Sequence, residues 1–209
     1  MRLLLIRHAE PVANVAGIVA GPRGCTGLTE TGRAQAATLA NRLRAEGLAP
    51  DVVYSSVLPR AVETAELIMP SLAVGEVRQD CELCELHPGE CDGLTWAEQV
   101  RLYGPGDSRS PDTPISPGGE SLLAFDQRVR RALQRLTQAH GDDFVVVVSH
   151  GGFISAATLA LLGAPGLAET KSFYLNPAYT SLTEWRQLEP GRWLLERYND
   201  SAHLISSGA

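Results

Sequence analysis

The chain has 209 residues, of which 44% are hydrophobic and 20% charged, proportions that fit one soluble globular domain able to bury a sizeable core. Its formal net charge is −6 and its 18 cationic residues are spread along the sequence, which argues against a nucleic-acid or anionic-membrane partner. The N-terminal apolar run is too short for a signal-peptide core, and no stretch approaches the ~18 apolar residues of a spanning helix, so a cytoplasmic protein is expected.

Elements alternate along the chain. Residues 2–6 (RLLLI) form a continuous apolar run that reads as a strand buried on both faces, and it stops at Arg7 and His8. Thr31 to Glu46 reads as a helix, with Ala34, Ala37, Leu39, Ala40 and Leu43 on helical spacing and Gly47 as its stop. A second strand is expected over 51–54 (DVVY), followed by Ser55-Ser56 and a helix from Pro59 to Ile68 that begins on a proline.

Residues 81–91 carry Cys81, Cys84, His87 and Cys91 as C-x2-C-x2-H-x3-C. This spacing matches no common zinc module, and Pro88-Gly89 interrupts it, so free thiols in a reducing compartment and no metal are the expectation. Residues 104–119 (GPGDSRSPDTPISPGG) are rich in proline and glycine and lack periodicity. They read as a long loop or lid within the domain, an insertion around 96–120.

A long helix is predicted from Ser121 to His140, with Leu122, Phe125, Val129, Leu133 and Leu136 at intervals of three or four. The run 144–148 (FVVVV) is a third buried strand, ending in Ser149 and His150, and Gly152 to Leu162 is a further helix. Late strands are expected over 180–186 and 192–198, around a Pro190-Gly191 turn. Strands alternating with helices predict a single α/β domain over 1–209, a three-layer α/β/α sandwich with a mostly parallel central sheet.

Ligands of such sheets bind beyond the carboxyl ends of the strands. His8 and His150 both fall there, and Arg60 opens the helix after the second strand. Gly151-Gly152 lets backbone N–H groups approach a ligand at a helix N-terminus. Taken singly, each of these is an ordinary solvated, ion-paired or structural side chain. Together, two guanidinium groups, two imidazoles and free amides on one rim describe a pocket for a phosphoryl group.

The segments "LIRHAEPVAN", "SSVLPRAVETAELI", "ELHPGECDGLT" and "VVSHGG" resemble, in that order, the signatures of the histidine phosphatase superfamily, which includes phosphoglycerate mutases and many small phosphatases. The stretches "PGGES" at 117–121 and "RYNDSAHL" at 197–204 are similar to those of small phosphatase members. The resemblance implies a phosphoglycerate mutase-like fold. It also implies that His8 is a nucleophile forming a phosphohistidine, that Arg7, Asn14, Arg60, His150 and Gly151 bind phosphate, and that Glu85 is the acid/base carboxylate, with Glu82 as its rival.

No cofactor is implied, since guanidinium groups take the place of a metal. Ala9, Pro11 and Ala20 depart from the usual residues and put mutase-like substrate contacts in doubt. A metal-independent phosphatase acting on a small phosphorylated substrate is therefore expected ahead of a phosphoglycerate mutase or a non-catalytic phospho-ligand binder. Substrate contacts are sought in 96–120 and in Arg23, Arg101 or Arg109. A homodimer is compatible with the sequence. A single lysine, Lys171, among the cationic residues is a composition found in GC-rich bacterial genomes.

Overall fold

The computed structural model describes residues 1–105, 110–170 and 175–205. Six strands form one sheet in the order β3-β2-β4-β1-β5-β6. They are β1 (Arg2–Arg7), β2 (Val52–Ser55), β3 (Val77–Gln79), β4 (Phe144–Ser149), β5 (Leu182–Glu189) and β6 (Arg192–Asp200). β1, β2, β3 and β4 run parallel, while β5 lies antiparallel to β1 and β6 antiparallel to β5.

Alternation along the strands builds two apolar layers. Leu3, Leu5, Val145 and Val147 pack with Phe125, Val129 and Phe153 on one face. Leu4, Ile6, Val146 and Val148 pack with Leu39, Leu43, Ala61 and Ile68 on the other. Helices α2 (Glu30–Ala45) and α3 (Pro59–Ile68) thus cover one side, and α5 (Leu122–Ala139) and α6 (Gly151–Leu161) the other, after the short α1 (Val12–Val15). This is the expected three-layer α/β/α sandwich. No helix among the described residues is long and apolar enough to cross a membrane.

Helix ends follow local chemistry. Thr29 caps α2 by accepting from the Gly32 N–H at 2.9 Å, and Ser121 caps α5 by accepting from the Ala124 N–H at 3.1 Å. At the other end of α2, Gly47 takes a φ of +64°, which a side chain would strain.

The expected insertion around 96–120 opens with a helix before its proline- and glycine-rich loop. Trp96–Tyr103 forms helix α4, opened by a capping box between Thr95 and Glu98. Its apolar residues Trp96, Val100 and Leu102 are exposed, so burial periodicity gave no signal. Further on, the buried Ser116 hydroxyl donates to Pro88 O at 2.6 Å and accepts from the Cys91 N–H at 3.1 Å, pinning this stretch to residues 87–91. A four-residue helix, α7 (Ala202–Ile205), follows β6. Arg109 and Lys171 lie outside the described residues.

Candidate active site

Beyond the carboxyl ends of β1, β2 and β4 lies a cleft of about 410 Å³, lined among others by Arg7, His8, Asn14, Ala20, Arg60 and Glu85. Each polar group arrives for a local reason. β1 ends at Arg7 and delivers His8; α1 carries Asn14; Pro59 starts α3 and places Arg60 in its first turn. Glu85 follows the 3₁₀ turn Cys81–Leu83 after the extended Cys84.

His8 is buried, and its Nδ1 lies 2.7 Å from Ala9 O. A carbonyl only accepts, so the proton sits on Nδ1 and the lone pair on Nε2. Arg60 donates from Nε to that Nε2 at 3.2 Å and from Nη1 to Ala20 O at 2.9 Å. Burial, and after it the positive charge of Arg60, holds the His8 pKa well below the ordinary histidine value. The ring is therefore neutral at pH 7. Ala20, which departs from the mutase pattern, serves here through its backbone.

Arg7 stacks on Tyr179, its guanidinium carbon 4.3 Å from the ring centroid, and donates from Nη1 to Pro177 O. A Cβ on Gly151 would lie 3.4 Å from the Arg7 guanidinium carbon, an ordinary contact, so the planar fork lies against the start of α6.

His150 follows β4 and lies against His8. It is fully buried, beside His8, with ring centroids 5.1 Å apart and planes at 61°. Its Nε2 contacts Ser56 Oγ at 2.8 Å. Ser56 also accepts from the Leu58 N–H at 3.2 Å and donates to Cys84 Sγ at 3.2 Å. That distribution puts the His150 proton on Nε2. Burial, then Arg60 and His8, pushes its pKa well below the ordinary value.

Of the two candidate carboxylates, Glu85 lines the cleft. Its Oε2 accepts from the Gly152 N–H at 3.0 Å and its Oε1 from the Leu86 N–H at 3.1 Å. Glu82 instead faces Arg131 at 4.0 Å. Arg23 is exposed and bound to Gly89 O and Asp92 O, and Arg101 is exposed on α4.

Sequence reasoning missed Arg128. This buried side chain donates from Nη1 to Glu82 O and Cys84 O at 2.8 and 3.0 Å and from Nη2 to Glu85 O at 3.1 Å. A two-pronged bond to Glu120, at 2.8 and 2.7 Å, completes its shell. A signal existed: Arg128 occupies the core-facing stripe of α5 beside Phe125 and Val129. A charge in an apolar stripe needs a partner.

This geometry can be set beside known proteins. A family model described as the histidine phosphatase superfamily (branch 1) matches residues 3–201. The chain belongs to the histidine phosphatase superfamily. It is 32% identical to a metal-independent phosphoserine phosphatase of Arabidopsis thaliana over 99% of this chain and 84% of that protein. To a 2,3-bisphosphoglycerate-dependent phosphoglycerate mutase of Brucella anthropi it is 35% identical over 77% of this chain and 81% of that one. Among solved structures, a putative alpha-ribazole-5'-P phosphatase of Escherichia coli aligns with a TM-score of 0.83 at 28% identity, over 96% of this chain and 97% of the other. A mycobacterial glucosyl-3-phosphoglycerate phosphatase complexed with VO3 aligns with a TM-score of 0.78 at 31% identity, over 95% and 98%. The phosphoglycerate mutase-like architecture expected from the motifs is thus the fold of this histidine phosphatase family member.

Proposed function

We propose that this chain is a phosphomonoesterase that hydrolyses a small phosphorylated metabolite through a phosphohistidine on His8, with no metal in the reaction cleft. The observation that carries the reading is the His8 tautomer. The Ala9 carbonyl holds the proton on Nδ1, so Nε2 carries the lone pair in a cleft that also holds Arg7, Arg60 and Glu85, and a phosphoryl group that draws Arg60 onto its oxygens frees that lone pair.

In this mechanism Nε2 attacks phosphorus in line as the ester P–O bond breaks. Arg7 and Arg60 take up the charge on the equatorial oxygens, and Asn14 and the Gly151 N–H add neutral donors; each preorganised donor of this kind supplies roughly 3–4 kcal/mol. His150, Nε2 tethered to Ser56, backs the His8 ring. Protonated Glu85 gives its proton to the departing alkoxide, then takes one from the water that attacks the phosphohistidine. Inorganic phosphate leaves and His8 is regenerated neutral.

The similar phosphatases support hydrolysis and the similar mutases support transfer, and water access decides between them. Trp96 at the cleft mouth is half exposed, which favours water. Product analysis with 3-phosphoglycerate plus 2,3-bisphosphoglycerate, alongside a panel of phosphomonoesters, tests this. The hydrolase reading requires inorganic phosphate as the main product; efficient formation of 2-phosphoglycerate with negligible phosphate release would replace it with a mutase. Vanadate, which takes a trigonal-bipyramidal geometry, inhibits either activity and does not discriminate.

A further inference from the structure

The phosphatase reading leaves one motif unused, the run Cys81, Cys84, His87 and Cys91. Its spacing gave no reason to expect a metal. The folded arrangement does. Cys81 Sγ lies 3.7 Å from Cys84 Sγ and 3.7 Å from His87 Nε2, and the three donor atoms all fall within 4.8 Å of one another. A tetrahedral zinc ion, with Zn–S of about 2.3 Å and Zn–N of about 2.05 Å, separates its sulfurs by about 3.8 Å and sulfur from nitrogen by about 3.6 Å. Both separations from Cys81 are already built in, and the Cys84–His87 distance, within 4.8 Å, needs at most a small closing.

The ring is also aimed. His87 Nδ1 sits 3.6 Å from Glu120 Oε2, and Glu120 is held by Arg128 and by the His87 backbone N–H at 2.9 Å. A carboxylate on the far side of the ring from a metal can, with a small closing of this gap, take the Nδ1 proton's hydrogen bond and leave the Nε2 lone pair for the ion. Cys91 takes no part, its sulfur lying beside Ile115 O at 4.0 Å. Three protein ligands remain, and the exposed Cys81 leaves the fourth position to solvent.

We propose that Cys81, Cys84 and His87 bind one soft divalent transition-metal ion of the zinc class, outside the reaction cleft. On binding, the two thiols release two protons, and the resulting pair of thiolates balances the 2+ ion, with His87 bound neutral. Thiolate ligands select against magnesium and calcium. The site touches the catalytic layer through Ser56, which donates to Cys84 Sγ and meets His150 Nε2, and through Arg128, which binds Glu120 and the Glu85 carbonyl. A bound ion would lock that serine, and through it the His150 ring.

The test is titration of the reduced, metal-stripped full chain with cobalt(II) under anaerobic conditions. One equivalent is expected to give a thiolate-to-cobalt charge-transfer band and the intense visible bands of tetrahedral cobalt, displaced by zinc, with two protons released per ion. Cys81→Ser and His87→Ala, both at solvent-accessible positions, should lose this spectrum, whereas Cys91→Ser and Cys25→Ser should keep it. Absence of the charge-transfer band in fully reduced protein would overturn the proposal, as would its survival in Cys81→Ser. So would a chain that forms a Cys81–Cys84 disulfide with peroxide yet takes up no cobalt when reduced, which would make the pair a redox couple. None of these outcomes bears on His8 chemistry, which phosphate release reports separately.

Discussion

The backbone N–H of Gly152 donates to Glu85 Oε2 at 3.0 Å, and a methyl group on Gly152 would lie 2.2 Å from Glu85 Oε1. The first turn of α6 therefore acts as a seat for the carboxylate, and only glycine leaves it room. The obstacle to a larger residue is the end of one side chain rather than backbone, so Gly152→Ala should fold and simply expel the carboxylate. Its kcat/KM for alkyl phosphomonoesters is expected to fall about 100-fold, the lower range for loss of a general acid, with little change in melting temperature. Parallel thermal melts and steady-state kinetics check both parts.

Glu85→Gln should separate substrates by leaving group. A sugar or serine alkoxide needs a proton as it departs, whereas p-nitrophenolate does not, so the first class should slow by about 100-fold or more and the second far less. Glu82→Gln, which alters only the contact with Arg131, should leave both rates near wild type. Equal losses for the two leaving groups in Glu85→Gln would move the acid elsewhere.

His8→Ala should abolish phosphate release while circular dichroism stays that of the wild type. In the unmodified chain, rapid acid-free quenching during turnover should trap phosphate that is labile to acid and stable to alkali, and peptide mapping should place it on residue 8. Unchanged turnover in the variant would remove the nucleophile from the scheme.

The neutral, buried state of His8 sets a pH dependence of stability. Its folded pKa lies well below the unfolded value of about 6.5, so below that pH the unfolded chain binds more protons than the folded one. The stabilisation is complete above about pH 6.5 and is lost as pH falls toward the folded pKa. One such group contributes a slope of up to about 1.4 kcal/mol per pH unit. Denaturant unfolding of wild type and His8→Ala between pH 7 and pH 5 should show the variant with the shallower slope, whatever its absolute stability.

Much of this was legible in the sequence because burial on both faces writes itself as unbroken apolar runs. RLLLI and FVVVV gave β1 and β4, and their ends gave Arg7, His8 and His150. The periodic stripe of α5 gave that helix, and Ser121 proves to be its N-cap rather than its first residue. What stayed hidden depends on partners distant in the chain. Helix α4 exposes its apolar residues and so leaves no burial pattern. The burial of His150 beside His8, the stacking of Tyr179 on Arg7 and the hold of Arg128 on the Glu85 backbone join segments with no local signature. The convergence of Cys81, Cys84 and His87 depends on a 3₁₀ turn and an extended step that no periodicity announces.

The position of β1 bears on how the molecule comes into being. This strand, made before the other five of the sheet, pairs with β4 on one side and β5 on the other, so both neighbours are made late. Until residues 144–149 and 182–189 emerge, RLLLI is an apolar strand with two open edges, a state prone to improper pairing. The distant pairings also predict slow folding. Because His8 stands at the end of that strand, the nascent chain has no assembled cleft until most of it has been synthesised. A ribosome-stalled chain ending before residue 182 should remain protease-sensitive and unable to retain phosphate on His8, and one stalled far enough downstream to expose β5 should become protease-resistant and able to retain phosphate together.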